Sequence, residues 1–185
     1  TMTALHDYYA ELFDRPEVAN PGESIALVND IETEHAITVE VPGPPEDNRC
    51  DVYASPYIND CDYPAAGNLL RFLHGLPEAD PSPRYGDWDR EALRAFDQTG
   101  FYDRADDSIS LSETGHLYVP RACRGAARCP LHVAFHGCEQ YAEAIDAAHG
   151  DLPEANRPYF YTSAGYNEFA ERHSIVVLYP QTRAW

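Results

Sequence analysis

The sequence predicts an α/β fold, a mostly parallel sheet with helices on both faces. Three observations carry this. Residues 131–135, 159–172 and 175–179 read as strand, long helix and strand, and that order makes a βαβ unit with a parallel strand pair. The predicted strands are short runs of β-branched and aromatic residues bounded by proline or glycine. The predicted helices repeat apolar residues at three- and four-residue spacing.

From the N-terminus, Leu5, Tyr8, Tyr9, Leu12 and Phe13 share a helical face and Pro16 ends the pattern, so residues 3–13 are expected to be helical. Residues 24–29 form a short apolar run suited to a strand buried on both faces, and the loop after it holds His35. Residues 41–64 are dense in proline, glycine and Asx and are expected to be irregular. A helix is expected over Ala65–His74, with Ala66, Leu69, Leu70 and Leu73 on one face and Gly75 as its cap. Residues 76–90 read as loop, and residues 91–96 as a short helical turn.

Residues 115–119 read as a strand, followed by a hairpin-like connection between Cys123 and Cys129 into the strand at 131–135. The helix at 159–172 places Tyr161, Ala164, Gly165 and Phe169 on one side and delivers the chain to the last strand, which ends at Pro180. No internal repeat or low-complexity segment interrupts this order.

With 185 residues and 44% apolar content, the chain suffices for one domain spanning residues 1–185, or for most of a larger one. Its 31 acidic residues outnumber 13 basic ones, all arginine, for a net charge of −18. Phosphate binding needs clustered cations, and these arginines are scattered among carboxylates, so nucleic acid and anionic membrane are poor partners. Acidic excess favours solubility through self-repulsion, which suits a salty or extracellular setting. No stretch reaches the ~18 consecutive apolar residues of a spanning helix. Residues 1–6 lack the basic and apolar regions of a signal peptide, so an export signal is absent or already removed.

The five cysteines do not follow metal-ligand spacing. Cys50 and Cys61 bracket one short loop and Cys123 and Cys129 another, which reads as two disulfides and an oxidising compartment; free buried thiols are the alternative. Cys138 is left over, and its partner is expected outside the chain.

Two features could carry chemistry. His136-Gly137-Cys138 leaves a predicted core strand at the carboxyl edge of the sheet, where ligands bind, and a glycine there can turn a backbone N–H towards a developing oxyanion. A His-Gly dipeptide is also how an ordinary turn reads. His35 follows a helix and a strand, and histidine is the side chain that can take and return a proton near neutral pH. Its bland alternative is a solvated loop residue among Glu32, Glu34 and Glu40. No Gly-x-Ser-x-Gly string exists; Ser163, in Tyr161-Thr162-Ser163-Ala164-Gly165, lacks the first glycine and falls within a helical pattern. His132 and His136 have no evident third ligand, so neither a metal nor any other cofactor is expected.

The strings at 131–140, 164–170 and 175–181, together with 55–61, 65–67 and 96–98, resemble consecutive motifs of extracellular poly(3-hydroxybutyrate) depolymerases of the esterase type, in their circularly permuted α/β-hydrolase branch. In that branch the order is serine, aspartate, histidine and then the oxyanion strand. The resemblance implies that His35 is the triad base and that the Cys138 backbone N–H is an oxyanion donor, although Glu34 stands where the family has a glycine. It further implies that the serine and aspartate lie upstream of Thr1 and a partner for Cys138 beyond Trp185, on a missing segment or a second chain. The expected function is hydrolysis of a polyhydroxybutyrate-like polyester, its oligomers or a small ester, inactive without the missing part. The alternatives are a non-catalytic module that binds a polymer or a partner, and a metal-dependent hydrolase.

Overall fold

A computed structural model describes residues 2–13, 25–40, 48–77, 83–84, 86–103, 106, 108–125 and 128–184. The chain divides into two compact units, Thr1–Glu32 and Thr33–Trp185. In the first, helix α1 spans Met2–Phe13, in agreement with the apolar spacing, and Leu5 and Tyr8 on it are 49% and 59% exposed. The strand expected at 24–29 does not form: residues 25–34 are irregular, and Val28 is 49% exposed. Ser24 lies outside the described residues. A four-residue apolar run, residues 25–28, has no neighbouring strand among the described residues and so no ladder to join.

The second unit carries its first strand further along the chain, from Ile37. Strands β1 (Ile37–Val39), β2 (Asn48–Arg49) and β3 (Ile58–Asp60) form a parallel sheet in the order β1-β3-β2. Two of them fall inside the segment expected to be irregular. Ile58 and Asn59 are fully buried, and the Asn59 amide donates to the carbonyls of Cys50 at 3.2 Å and Val52 at 2.9 Å. Asn59 was hidden in an Asx-rich string because its value lies in satisfying a folded loop. The Cys50–Cys61 disulfide closes that loop.

Helix α2 spans Ala65–His74 and ends at Gly75 in the left-handed conformation, as its spacing predicts. Its buried residues are Ala66, Gly67 and Leu70, whereas Leu69 and Leu73 remain 40% and 56% exposed. The rotation has a local cause: a Cβ on Gly67 would lie 2.1 Å from the Phe169 ring, so this glycine admits the aromatic against the helix backbone.

The larger sheet has the order β4-β5-β7-β6, from β4 (Leu93–Asp97), β5 (Thr114–Tyr118), β6 (Leu131–Val133) and β7 (Val176–Tyr179). The β6–β7 pair is parallel and the other two pairs are antiparallel. Strand β4 replaces the helical turn expected at 91–96; the turn exists only as a 3₁₀ segment, Arg90–Ala92, whose cap is the Asp89 carboxylate. Because β7 lies between β5 and β6, the Cys123–Cys129 disulfide closes part of a crossover rather than a hairpin.

Helices α3 (Ala142–Ala148), α4 (Phe160–Ser163) and α5 (Tyr166–His173) lead from β6 to β7, the βαβ order read from the sequence. The single helix expected at 159–172 is broken at Gly165, whose φ of 82° no helix interior accommodates. Ser163 is the last residue of α4 and is buried. Tyr118, Val177 and Tyr179 of the sheet pack with Phe160, Phe169 and Leu70 in one core. Two buried tyrosines are held by polar partners: Tyr179 donates to Asn167 at 2.7 Å and Tyr118 to Glu171 at 2.5 Å. No helix among the described residues is long and apolar enough to cross a membrane.

Candidate active site

The His35 loop and the 136–138 loop meet at one cleft of about 810 Å³, within the range of small-ligand sites. Residues 33–37 form one wall, Tyr53 and Tyr57 a second, and residues 137–140 the third. His35 lies exposed in the bend before β1. That bend is fastened on both sides: the Glu34 N–H donates to Cys50 O at 3.1 Å and the Ile37 N–H to Tyr57 O at 2.9 Å. The Cys50–Cys61 disulfide therefore supports the histidine loop directly.

The third wall leaves β6 at its carboxyl end. His136 is the fastening of this loop, since Thr182 N–H donates to its Nε2 at 3.2 Å. The proton then resides on Nδ1, which faces Gly137 O at 2.9 Å. Burial pushes the His136 pKa down and the Gly137 carbonyl opposes this. A neutral, two-point anchor is the result.

Gly137 does not take the inward-pointing role expected of it. Its N–H donates to Gln140 Oε1 at 2.8 Å, and the left-handed residue of the loop is Glu139, with φ of 59°. Gln140, 7% exposed, uses its amide nitrogen to reach Pro56 O at 3.1 Å and Tyr57 O at 3.0 Å. Between Gly137 and Gln140, whose N–H groups are both engaged, no hydrogen bond among the described residues occupies the Cys138 N–H. Cys138 itself is an exposed free thiol, and the other four cysteines form the two disulfides read from the sequence.

Sequence reasoning missed Tyr53, Tyr57 and Gln140. Tyr57 has φ of 57° and donates to Glu139 Oε2 at 2.6 Å, and this bond, foremost, raises the phenol pKa to about 12. Their only sequence signal was membership of the strings at 55–61 and 131–140. Also missed was a serine–histidine contact, Ser55 Oγ to His149 Nε2 at 3.1 Å, in the turn that leads to Tyr57. No serine lines the cleft among the described residues, Ser163 included. Likewise no cluster of three potential metal ligands occurs among them; His132 stacks on Tyr166 and meets His74 edge-on, while His136 turns to Thr182.

No family model matches the chain. It is 32% identical over 188 residues to a poly(3-hydroxybutyrate) depolymerase of Delftia acidovorans, covering 98% of this chain and 31% of that protein. The chain belongs to a poly(3-hydroxybutyrate) depolymerase-like family. A polyhydroxybutyrate depolymerase of Talaromyces funiculosus is 34% identical over 136 residues, 73% of this chain and 34% of the relative. The chain thus spans about a third of the length of these depolymerases.

Solved structures agree. A PHB depolymerase from Penicillium funiculosum superposes with a TM-score of 0.63 at 30% identity, and a serine-to-alanine PHB depolymerase complexed with an R3HB trimer with 0.64 at 31%. Each match covers 82% of the depolymerase-like chain and 42% of the solved chain. The α/β fold read from the sequence is that of these neighbours.

Proposed function

We propose that this chain supplies the general base and one oxyanion donor of a secreted serine esterase that hydrolyses polyhydroxybutyrate-like polyester or its oligomers. The observation that carries the reading is the shared cleft of His35 and the Cys138 loop, which lie 103 residues apart in the sequence (138 − 35). In the reaction, His35 takes the proton of an attacking serine hydroxyl and returns it to the leaving alkoxide. The Cys138 N–H receives the oxyanion of the tetrahedral intermediate. Water then releases the acyl group by the same two residues.

The serine and the aspartate come from polypeptide beyond this chain, either a continuing segment or a second chain, in the permuted order. Strand β6 supports this, since among the described residues it pairs with β7 on one side, and Leu131 and Val133 on it and Phe135 just after it are 57%, 39% and 74% exposed. Parallel strands are ordinarily covered on both faces, and a further parallel strand requires a crossover that would cover these residues. The relatives hold about twice as much additional polypeptide as the part matched here. Two disulfides suit an oxidising, extracellular compartment.

The test is incubation of this polypeptide alone with p-nitrophenyl butyrate. Turnover at the buffer rate is expected. Turnover abolished by a serine-directed fluorophosphonate would mean that the nucleophile is within the chain, with Ser55 the first residue to map because His149 already contacts it.

A further inference from the structure

The cleft that joins the His35 loop to the 136–138 loop carries negative charge on two of its walls. Glu34 immediately precedes His35 and Glu139 immediately follows Cys138; both line the cleft and both are exposed. No arginine lines it among the described residues, and the chain has no lysine. The proposed base and the proposed oxyanion donor therefore each have a carboxylate as chain neighbour.

Both glutamates are fastened at the wall. The Glu34 N–H donates to Cys50 O at 3.1 Å, which holds its backbone in the bend before β1. Glu139 accepts the Tyr57 hydroxyl at 2.6 Å, and its backbone is left-handed with φ of 59°. Glu34 stands where the resembling depolymerases have a glycine, so its charge is a feature of this chain. An anion inside a cleft of about 810 Å³ lies within a Debye length, ~10 Å at 0.1 M salt, of the groups that line it. At ~8 Å in water each like charge opposes that anion by about twofold, and the pair by about fourfold. Ester hydrolysis creates such an anion, since a neutral ester and water give an alcohol and an acid that loses its proton near neutral pH.

We propose that Glu34 and Glu139 make this cleft selective for uncharged ester chain and exclude carboxylates from it. Internal bonds of a polyester are then accepted, bonds beside a free carboxyl end are disfavoured, and the acid product is expelled. The statement about polyester rests on the esterase reading; the exclusion of anions does not.

Cys138 supplies the readout. It lines the same cleft, is exposed, and is the only cysteine outside the two disulfides. Iodoacetamide and iodoacetate alkylate the same thiolate with loss of iodide and differ by one negative charge. The ratio of their rates therefore cancels any effect of the glutamates on the thiolate fraction. In ~0.1 M salt that ratio, neutral over anionic, should exceed the ratio for β-mercaptoethanol about fourfold. Glu34→Gln and Glu139→Gln, the latter keeping an acceptor for Tyr57, should each lower it about twofold, and the double variant should remove the excess. Salt at ~1 M, where the Debye length is ~3 Å, should remove it as well. Glu91→Gln deletes the same charge outside the cleft lining and should leave the ratio unchanged. A ratio equal to that of β-mercaptoethanol, an excess that survives in the double variant, or an equal shift in Glu91→Gln overturns the proposal. No ester is cleaved in this assay, so its failure leaves the esterase reading intact, and failure of the esterase assay leaves the exclusion of anions standing.

Discussion

Tyr57 donates its hydroxyl to Glu139 at 2.6 Å across the cleft, and both residues hold a left-handed backbone that disfavours side chains, with φ of 57° and 59°. The bond joins two locally strained loops, one leading into β3 and one leaving β6. Loss of the hydroxyl in Tyr57→Phe should therefore loosen residues 137–140, seen as faster amide hydrogen exchange there with little change elsewhere. The same contact can be followed by titration. The difference in tyrosinate absorbance between the parent and Tyr57→Phe should show ionisation near pH 12, and Glu139→Gln should bring it towards the ordinary phenol value because the carboxylate acceptor is gone.

Gln140 is the buried link between the same loops. Gln140→Ala strips the partner from the Gly137 N–H and from two carbonyls at once. Leaving buried polar groups unpaired costs roughly 1–3 kcal/mol. Urea denaturation should show that loss, and Gln140→Glu, which keeps the acceptor and removes the donors, should recover only part of it.

Gly67→Ala tests the seat of Phe169. A methyl group placed 2.1 Å from the ring forces the aromatic or α2 to shift, and overpacking of this kind costs about 1–3 kcal/mol. The double variant Gly67→Ala/Phe169→Leu should regain part of the lost stability if that contact is the cause.

Acid should destabilise the fold through His116. Its folded pKa is depressed to about 4 while an unfolded histidine titrates near ~6.5, so below that value the unfolded chain binds a proton that the folded chain refuses. Stability is fully present above pH 6.5 and falls as pH drops towards 4. His132 and His136, also shifted down by burial, act in the same direction. Thermal melts of His116→Phe should show a flatter dependence across this window than the parent.

The fold was legible where a periodic signal met a terminator. Helix α2 has a repeating apolar face and Gly75, and the β6-to-β7 passage has two apolar runs flanking a helical period. Strand β4 was not, because Glu91 and Ala92 favour helix and the alternation of Leu93 to Asp97 acquires meaning only beside β5. The strand placed at 24–29 failed for the converse reason, an apolar run with nothing to pair against. In the site, His35 and Cys138 could be named because the resemblance gave them an order. The contact of Gln140 with Tyr57 spans 83 residues, and no local pattern encodes it.

The most direct measurement is the hydrolysis of p-nitrophenyl butyrate by this chain joined to a depolymerase segment that carries Gly-x-Ser-x-Gly, with and without His35→Ala. Loss of the proposed triad base should lower kcat on the order of 10³-fold or more, with the fold preserved by circular dichroism. Activity retained within threefold in His35→Ala would contradict the assignment of the base and with it the shared cleft as the catalytic centre.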